Sequence, residues 1–204
     1  MPRPRSLTRN QLAAAALAVI DREGLAGLSM RAVAKELGAS TMALYRYVQD
    51  REELEGLVVD RVLGAMDTEP PDPAAPWQER VEVLVRRMRD AVSAHPSVAP
   101  LTVTHRHRSP VGLRWAETVL AVLTEAGIDG ERRVVALRGL LGYVIGAIQL
   151  EHLGPLSGRG TDVIAELPPS AFPYLSATAR QAREVGPEAE FLGGLALLLR
   201  GLTA

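Results

Sequence analysis

Residues 29–54 crowd three helix starts into one short stretch. Ser29 can cap a helix whose apolar residues are Met30, Val33, Ala34 and Leu37, and Gly38 stops it. Ser40 can cap another helix after only two intervening residues. Asp50 and Glu53 have the spacing of a capping box in front of Leu54, Leu57, Val58 and Val62. Upstream, Thr8 and Gln11 have the same spacing, and apolar residues follow at 12, 15, 16, 19 and 20. That stripe predicts a first helix ending near Glu23-Gly24, with Gly24 as its C-cap. Two short helices separated by Gly-Ala-Ser have the helix-turn-helix layout, whose second helix enters the DNA major groove.

The segment STMALYRYV, residues 40–48, carries the chemistry. Aromatic residues are only 4% of the chain, yet two of its four tyrosines lie here beside an arginine. In a helix starting at Ser40, Leu44 and Val48 lie one turn apart and can anchor to a bundle. The opposite face then carries Thr41, Met42, Tyr45 and Arg46. Hydroxyls can bond phosphates, apolar groups can touch thymine methyls, and arginine can take guanine or phosphate. For Tyr47 the alternative of packing inside the bundle stays open.

Charge supports the same end of the chain. Residues 1–51 hold eight Lys+Arg and four Asp+Glu, a net +4, whereas the remainder holds 15 and 20, a net −5. A basic end on an acidic body suits a polyanionic partner. There is no cysteine, which excludes a disulfide framework and thiolate metal sites. The chain opens MPRPRSLTRNQ, without the apolar core of a signal peptide. Its longest uncharged apolar run, Gly139 to Leu150, is shorter than the roughly 20 residues of a membrane span. A soluble cytoplasmic protein, with no membrane partner, is expected.

Residues 67–76, DTEPPDPAAP, break the helical pattern. They divide a head, residues 1–66, from a body, residues 77–204. In the body a helix is predicted from Trp77 to Ala94 with Val81, Leu84, Val85 and Met88 inward, ended by His95-Pro96. SVAPLTVTHRH is a short connection. A helix from about Pro110 to Ala126 presents Leu113, Ala116, Leu120 and Leu123, and Gly127 ends it. A long helix runs from Asp129 to His152 through Val134, Leu137, Leu141, Val144, Ile145, Ile148 and Leu150. Residues 154–170 are rich in Gly and Pro and read as a mobile connection. Weak helix follows near 171–184, and Pro187 starts a last helix with Phe191, Leu195, Leu198 and Leu199. No strand-like alternation is present, so the fold class is all-α. The long and last helices are apolar nearly all round, which places them either inside a monomer core or against another chain. Gly139, Gly142, Gly146, Gly193 and Gly194 permit close approach of helices there.

The stretch GLAGLSMRAVAKELGASTMALYRYVQDREELEGLVVDRV resembles the DNA-binding domain of the TetR family of transcriptional repressors. The marks are Leu-Ser-x-Arg, Val-Ala, Leu-Gly-Ala-Ser and Ala-Leu-Tyr-x-Tyr-Val, followed by Gln-Asp-Arg before the fourth helix. The resemblance implies that Arg31 reads a base, that Thr41, Met42 and Ala43 touch bases or sugars, and that Tyr45, Tyr47 and Arg51 hold phosphates. Arg51 stands where the family commonly has lysine, which keeps the charge. Arg46 falls where the family varies, so its target is open. The arm Arg3-Pro4-Arg5 reaches phosphates or the minor groove, or is a solubilising tail. The order of body helices, including His-Pro after the first, is similar to that of tetracycline-repressor-like proteins. It implies a ligand-binding and dimerisation domain whose long and last helices form a four-helix interface. A two-fold operator also requires two recognition helices, hence a homodimer.

Other chemistry is poorly supported. There is no nucleophile elbow, phosphate loop or His-Glu-x-x-His motif, and the glycines of GLLGYVIG sit in a helical pattern, not after a strand. No cofactor is expected. His105 and His107 flank Arg106, with no Asp or Glu adjacent, so a surface or pocket-lining pair is a better reading than a metal site. Glu151-His152 alone makes no enzyme. A small-molecule pocket between body helices is expected, with Met88, Leu101, His105, Trp115, Tyr143 and His152 as candidate lining. The expected function is that of a homodimeric, effector-released repressor, not an enzyme. The rival is a helical enzyme or ligand carrier with a coincidental helix-turn-helix pattern.

Overall fold

The first capping box forms as its spacing predicts. In the computed structural model, which describes residues 7–202, the Thr8 side chain accepts from the Gln11 amide at 3.2 Å. The Gln11 side chain in return accepts from the Thr8 amide at 2.9 Å. This starts α1 (Arg9–Gly27), where Gly24 at φ +70° breaks the helical geometry and a final turn follows it. Ser29 accepts from Ala32 N at 3.1 Å to start α2 (Met30–Glu36), and Ser40 accepts from Ala43 N at 3.3 Å to start α3 (Thr41–Leu44). Asp50 accepts from Glu53 N at 2.8 Å at the head of α4 (Arg51–Leu63). The reciprocal half of that second box is displaced. The Glu53 carboxylate takes the Gln49 amide at 2.8 Å, not the Asp50 amide, and also pairs with Arg9 of α1.

After the Pro-rich segment come α5 (Trp77–Ser93), a 3₁₀ turn (Pro96–Val98) and α6 (Ala99–Thr104). Then follow α7 (Pro110–Glu125), α8 (Gly130–Leu153), α9 (Arg159–Ala165), α10 (Pro173–Ala182) and α11 (Pro187–Gly201). Among the described residues there is no strand, so the fold is all-α. One continuous apolar core runs from Leu12 in α1 to Leu199 in α11. The head packs onto the body through α4, which touches α5, α6 and α7, and through α1 against the 3₁₀ turn.

Three expectations are corrected. SVAPLTVTHRH is not a plain connection but contains the 3₁₀ turn and α6, each opened by a proline in its first turn. Residues 154–170 contain α9, which packs chiefly on α10 and is tied to it by Arg183–Asp162 at 2.8 Å. The buried stripes of α7 and α8 are rotated from those expected. In α7 the core takes Trp115, Val119, Val122 and Leu123, and Leu113 is 51% exposed. Trp115 decides this, because its indole N–H must find a partner when buried and donates to Leu84 O at 2.8 Å. In α8 the buried residues are Ala136, Leu140, Val144 and Ile148, leaving Val134, Val135, Leu150 and Leu153 exposed. By length and composition α8 could also cross a membrane, but here its buried stripe packs against α5, α6, α7 and α11.

Candidate functional site: a reading face and an apolar cavity

The α2–turn–α3 unit is held by two serine caps and a glycine. Gly38 takes φ +61°, a backbone region that other residues enter only with strain, and Ala39 N then reaches Ala34 O at 2.9 Å. α3 is a single turn anchored by Leu44 and Val48, both buried in the core. Its other side leaves Met42 72% exposed and Tyr45 49% exposed, with Arg46 beside them. Thr41 and Ala43 are half-buried at the edge. Tyr47 is half-buried and packs against the core, the alternative left open for it.

The cations of the head fall into two groups. Arg9 pairs with Glu53, Arg22 with Glu23 and Glu36, and Arg61 with Asn10. Arg51 gives Nε to Glu55 at 2.7 Å and one terminal N–H to Leu25 O at 3.2 Å, which leaves other N–H groups outward. By contrast Arg31, Lys35 and Arg46 are exposed, and no hydrogen-bond or acidic partner of their side chains is found among the described residues. Arg31 and Lys35 lie one turn apart on the face of α2 opposite buried Val33 and Ala34. Such a face can neutralise phosphates without first breaking an internal ion pair. Lys35 escaped the sequence reading, although its spacing from Arg31 was a sufficient signal. The arm Arg3-Pro4-Arg5 lies outside the described residues.

In the body, a cavity of about 230 Å³ opens between the end of α4 and helices α5–α8. Of the six lining residues expected, Met88 and Trp115 line it. Leu101 lies in the core beside it. His105 turns away toward the head: it is 3% exposed, with Nε2 3.0 Å from Glu55 Oε2. Tyr143 projects toward α11, where its hydroxyl donates to Phe191 O at 2.5 Å, and burial pushes its pKa up. His152 is exposed at the end of α8. His107, read from the sequence as one of a surface or pocket-lining pair, forms the polar end with Thr102, Arg106 and Ser109, which the sequence did not single out as lining. Their positions depend on how α6 ends. His105 and His107 diverge, one toward α4 and one toward the cavity, and among the described residues no group of three or more His, Asp or Glu converges.

The α8 and α11 pair presents a second surface. Among the described residues, Gly142, Gly146 and Gly193 would meet nothing within 4 Å if they carried a Cβ, so their space is open to a neighbour. Gly194 differs, since its Cβ would lie 2.5 Å from the Tyr143 hydroxyl. Arg89 of α5 ties this corner together through Glu151 and Glu188. Burial works against its charge, and those hydrogen bonds more than offset it.

A helix-turn-helix head on an all-helical body with an internal cavity defines the class: a ligand-responsive DNA-binding regulator of transcription. Two family descriptions match: "Bacterial regulatory proteins, tetR family" over residues 12–55 and "Tetracyclin repressor-like, C-terminal domain" over residues 69–204. The chain belongs to the TetR family of transcriptional regulators. It is 30% identical to the HTH-type transcriptional repressor DrrR1 of Streptomyces coeruleorubidus, over 98% of this chain and 78% of that one. It is 28% identical to the class A tetracycline repressor protein from transposon 1721 of Escherichia coli, over 96% and 90%. Among solved structures it is similar to the TetR family protein ActR of Streptomyces coelicolor in complex with (S)-DNPA. There the TM-score is 0.81, with 28% identity and 98% of each chain covered. It is also similar to BioQ with its natural double-stranded DNA operator (TM-score 0.67, 26% identity, 96% of this chain and 98% of that one).

Proposed function

We propose that the protein acts as a homodimeric repressor of a near-palindromic operator, released when a small molecule occupies the body cavity. The observation that carries this is the exposed Met42, Tyr45 and Arg46 on α3 and the turn after it, with Thr41 at their edge, anchored by Leu44 and Val48 and flanked by Arg31 and Lys35, which have no partner among the described residues. In this reading residues 1–66 are the head and 77–204 the effector and dimer body. Arg31 reads a base edge, Thr41, Met42 and Ala43 meet bases or sugars, and Tyr45, Arg46, Tyr47 and Arg51 hold the backbone. Two heads enter successive major grooves, spaced by a dimer formed through α8 and α11. The protein works in the cytoplasm by binding and not by catalysis.

Leu63 at the end of α4 lines the cavity, and Arg51 at its start belongs to the reading head. A ligand that fits the cavity better in one tilt of α4 than another shifts operator affinity by that difference. The test is selection of bound fragments from random duplex DNA, followed by affinity measured against salt. A two-fold consensus with log affinity falling by about 0.9 per log unit of salt for each phosphate contact is expected. Duplex binding that is absent at low salt would refute the reading.

A further inference from the structure

The cavity differs from end to end in a way that selects its occupant. Its wall is apolar: Leu63, Met88, Trp115, Leu137, Val144 and Ile145 contribute, and among the described residues no Asp or Glu lines it. The indole N–H of Trp115 is already engaged by Leu84 O at 2.8 Å, so the wall offers no free donor there. The polar end comes wholly from residues 102–109. There the Thr102 hydroxyl donates to Ala99 O at 2.7 Å, and Ser109 Oγ accepts from Gly112 N at 3.3 Å. Arg106 gives one N–H to Val103 O at 2.9 Å and keeps the rest of its fork. His107 accepts from Arg108 Nε through Nε2 at 3.4 Å, an arrangement that in the neutral ring leaves the proton on Nδ1. Arg108 itself is paired with Glu52 at 2.7 Å, whereas among the described residues no carboxylate pairs with Arg106.

Thr102 Oγ1, having donated its proton, keeps acceptor capacity, but the charged capacity at this end is that of Arg106, a permanent cation whose remaining N–H groups can only donate. At about 230 Å³ the cavity is also smaller than the ~300–1,000 Å³ of ordinary ligand pockets. Resting on the reading of this cavity as the effector site, we propose that the effector is a compact apolar acid. Its carboxylate meets Arg106 and the Nδ1–H of His107, and its hydrocarbon body lies against Trp115 and α8. Charge-assisted hydrogen bonds offset the desolvation of the carboxylate. A cationic ligand would face Arg106 with no acid to receive it.

The test is calorimetric titration of the full chain with benzoate, naphthalene-2-carboxylate and decanoate, each against its own primary amide, with operator release read in parallel. At least one acid should bind about tenfold or more tightly than its amide, the preference a charge-assisted contact gives. Arg106→Gln should remove that preference while amide affinity stays where it was, and His107→Gln should reduce it. Amides that bind as well as their acids, or acids that all fail at roughly 1 mM, would overturn the proposal. An acid that binds by these criteria without releasing operator DNA supports the ligand class and sinks effector control. A neutral compound that releases DNA while every acid fails to bind sinks the ligand class and leaves effector control standing.

Discussion

His105 of the body and Glu55 of α4 meet with Nε2 and Oε2 at 3.0 Å, both side chains largely out of solvent. The other oxygen of Glu55 holds Arg51 Nε at 2.7 Å. One carboxylate thus joins the body to a cation of the reading head. The turn that carries His105 faces two ways. His105 and Arg108 reach Glu55 and Glu52 on α4, while Arg106 and His107 reach the cavity.

Glu55→Gln keeps the shape of that junction and removes its charge. Unfolding in urea should show a loss of about 1.5–3 kcal/mol, the range for hydrogen bonds to a charged group. A double-mutant cycle with His105→Gln should give a coupling of roughly 0.5–3 kcal/mol. Additive effects would mean that the pair does not join the two parts energetically.

In the function proposed above, the exposed face of the head divides into base contacts and phosphate contacts. Arg31→Ala should cost about 1–3 kcal/mol in operator affinity and relax the preference at one base pair per half-site. Lys35→Ala should weaken all sequences alike and lower the salt slope by about 1 per head. Tyr45→Phe should also act evenly across sequences. Selection on random duplexes with each variant checks this, and an unchanged preference for Arg31→Ala removes its base-reading role.

Leu44 is fully buried beneath a helix of only four residues. Leu44→Ala should destabilise the chain by about 2–5 kcal/mol, since so short an element cannot collapse onto the space left. Ser40→Ala removes its cap and should cost about 1 kcal/mol. Thermal unfolding followed by circular dichroism measures both.

Gly142 of α8 is exposed, and a Cβ there meets no atom of the described residues within 4 Å. Gly142→Glu should leave the isolated chain folded, because Gly is about 1 kcal/mol poorer than Ala inside a helix and Glu is among the better helix formers. It should place a charge in the α8–α11 interface and prevent dimers. Sedimentation at micromolar concentration should then give the 21.9 kDa chain where the native protein gives twice that mass. A mutant that still sediments as a dimer would place the interface elsewhere.

The helix starts were legible because capping acts over three residues. Thr8, Ser29, Ser40 and Asp50 each accept the backbone N–H that their spacing predicts. The exposed and anchored faces of α3 were legible for the same reason, since a single turn has little freedom once Leu44 and Val48 point inward. The pocket was less so. Each residue along a helix turns the side chain by about 100°, so His105 and His107 depend on where α6 stops. That end is set by contacts with α4, 50 residues away from His105 in sequence.

By itself the sequence determined an all-helical chain with a helix-turn-helix head, because caps, breakers and apolar periodicity are local physics. Only the tertiary structure decided which stripe of α7 and α8 is buried and which of the two histidines faces the cavity. Helices apolar on several sides leave that choice open. It is made by long-range packing and by the need of buried groups such as the Trp115 indole and the His105 imidazole for a partner.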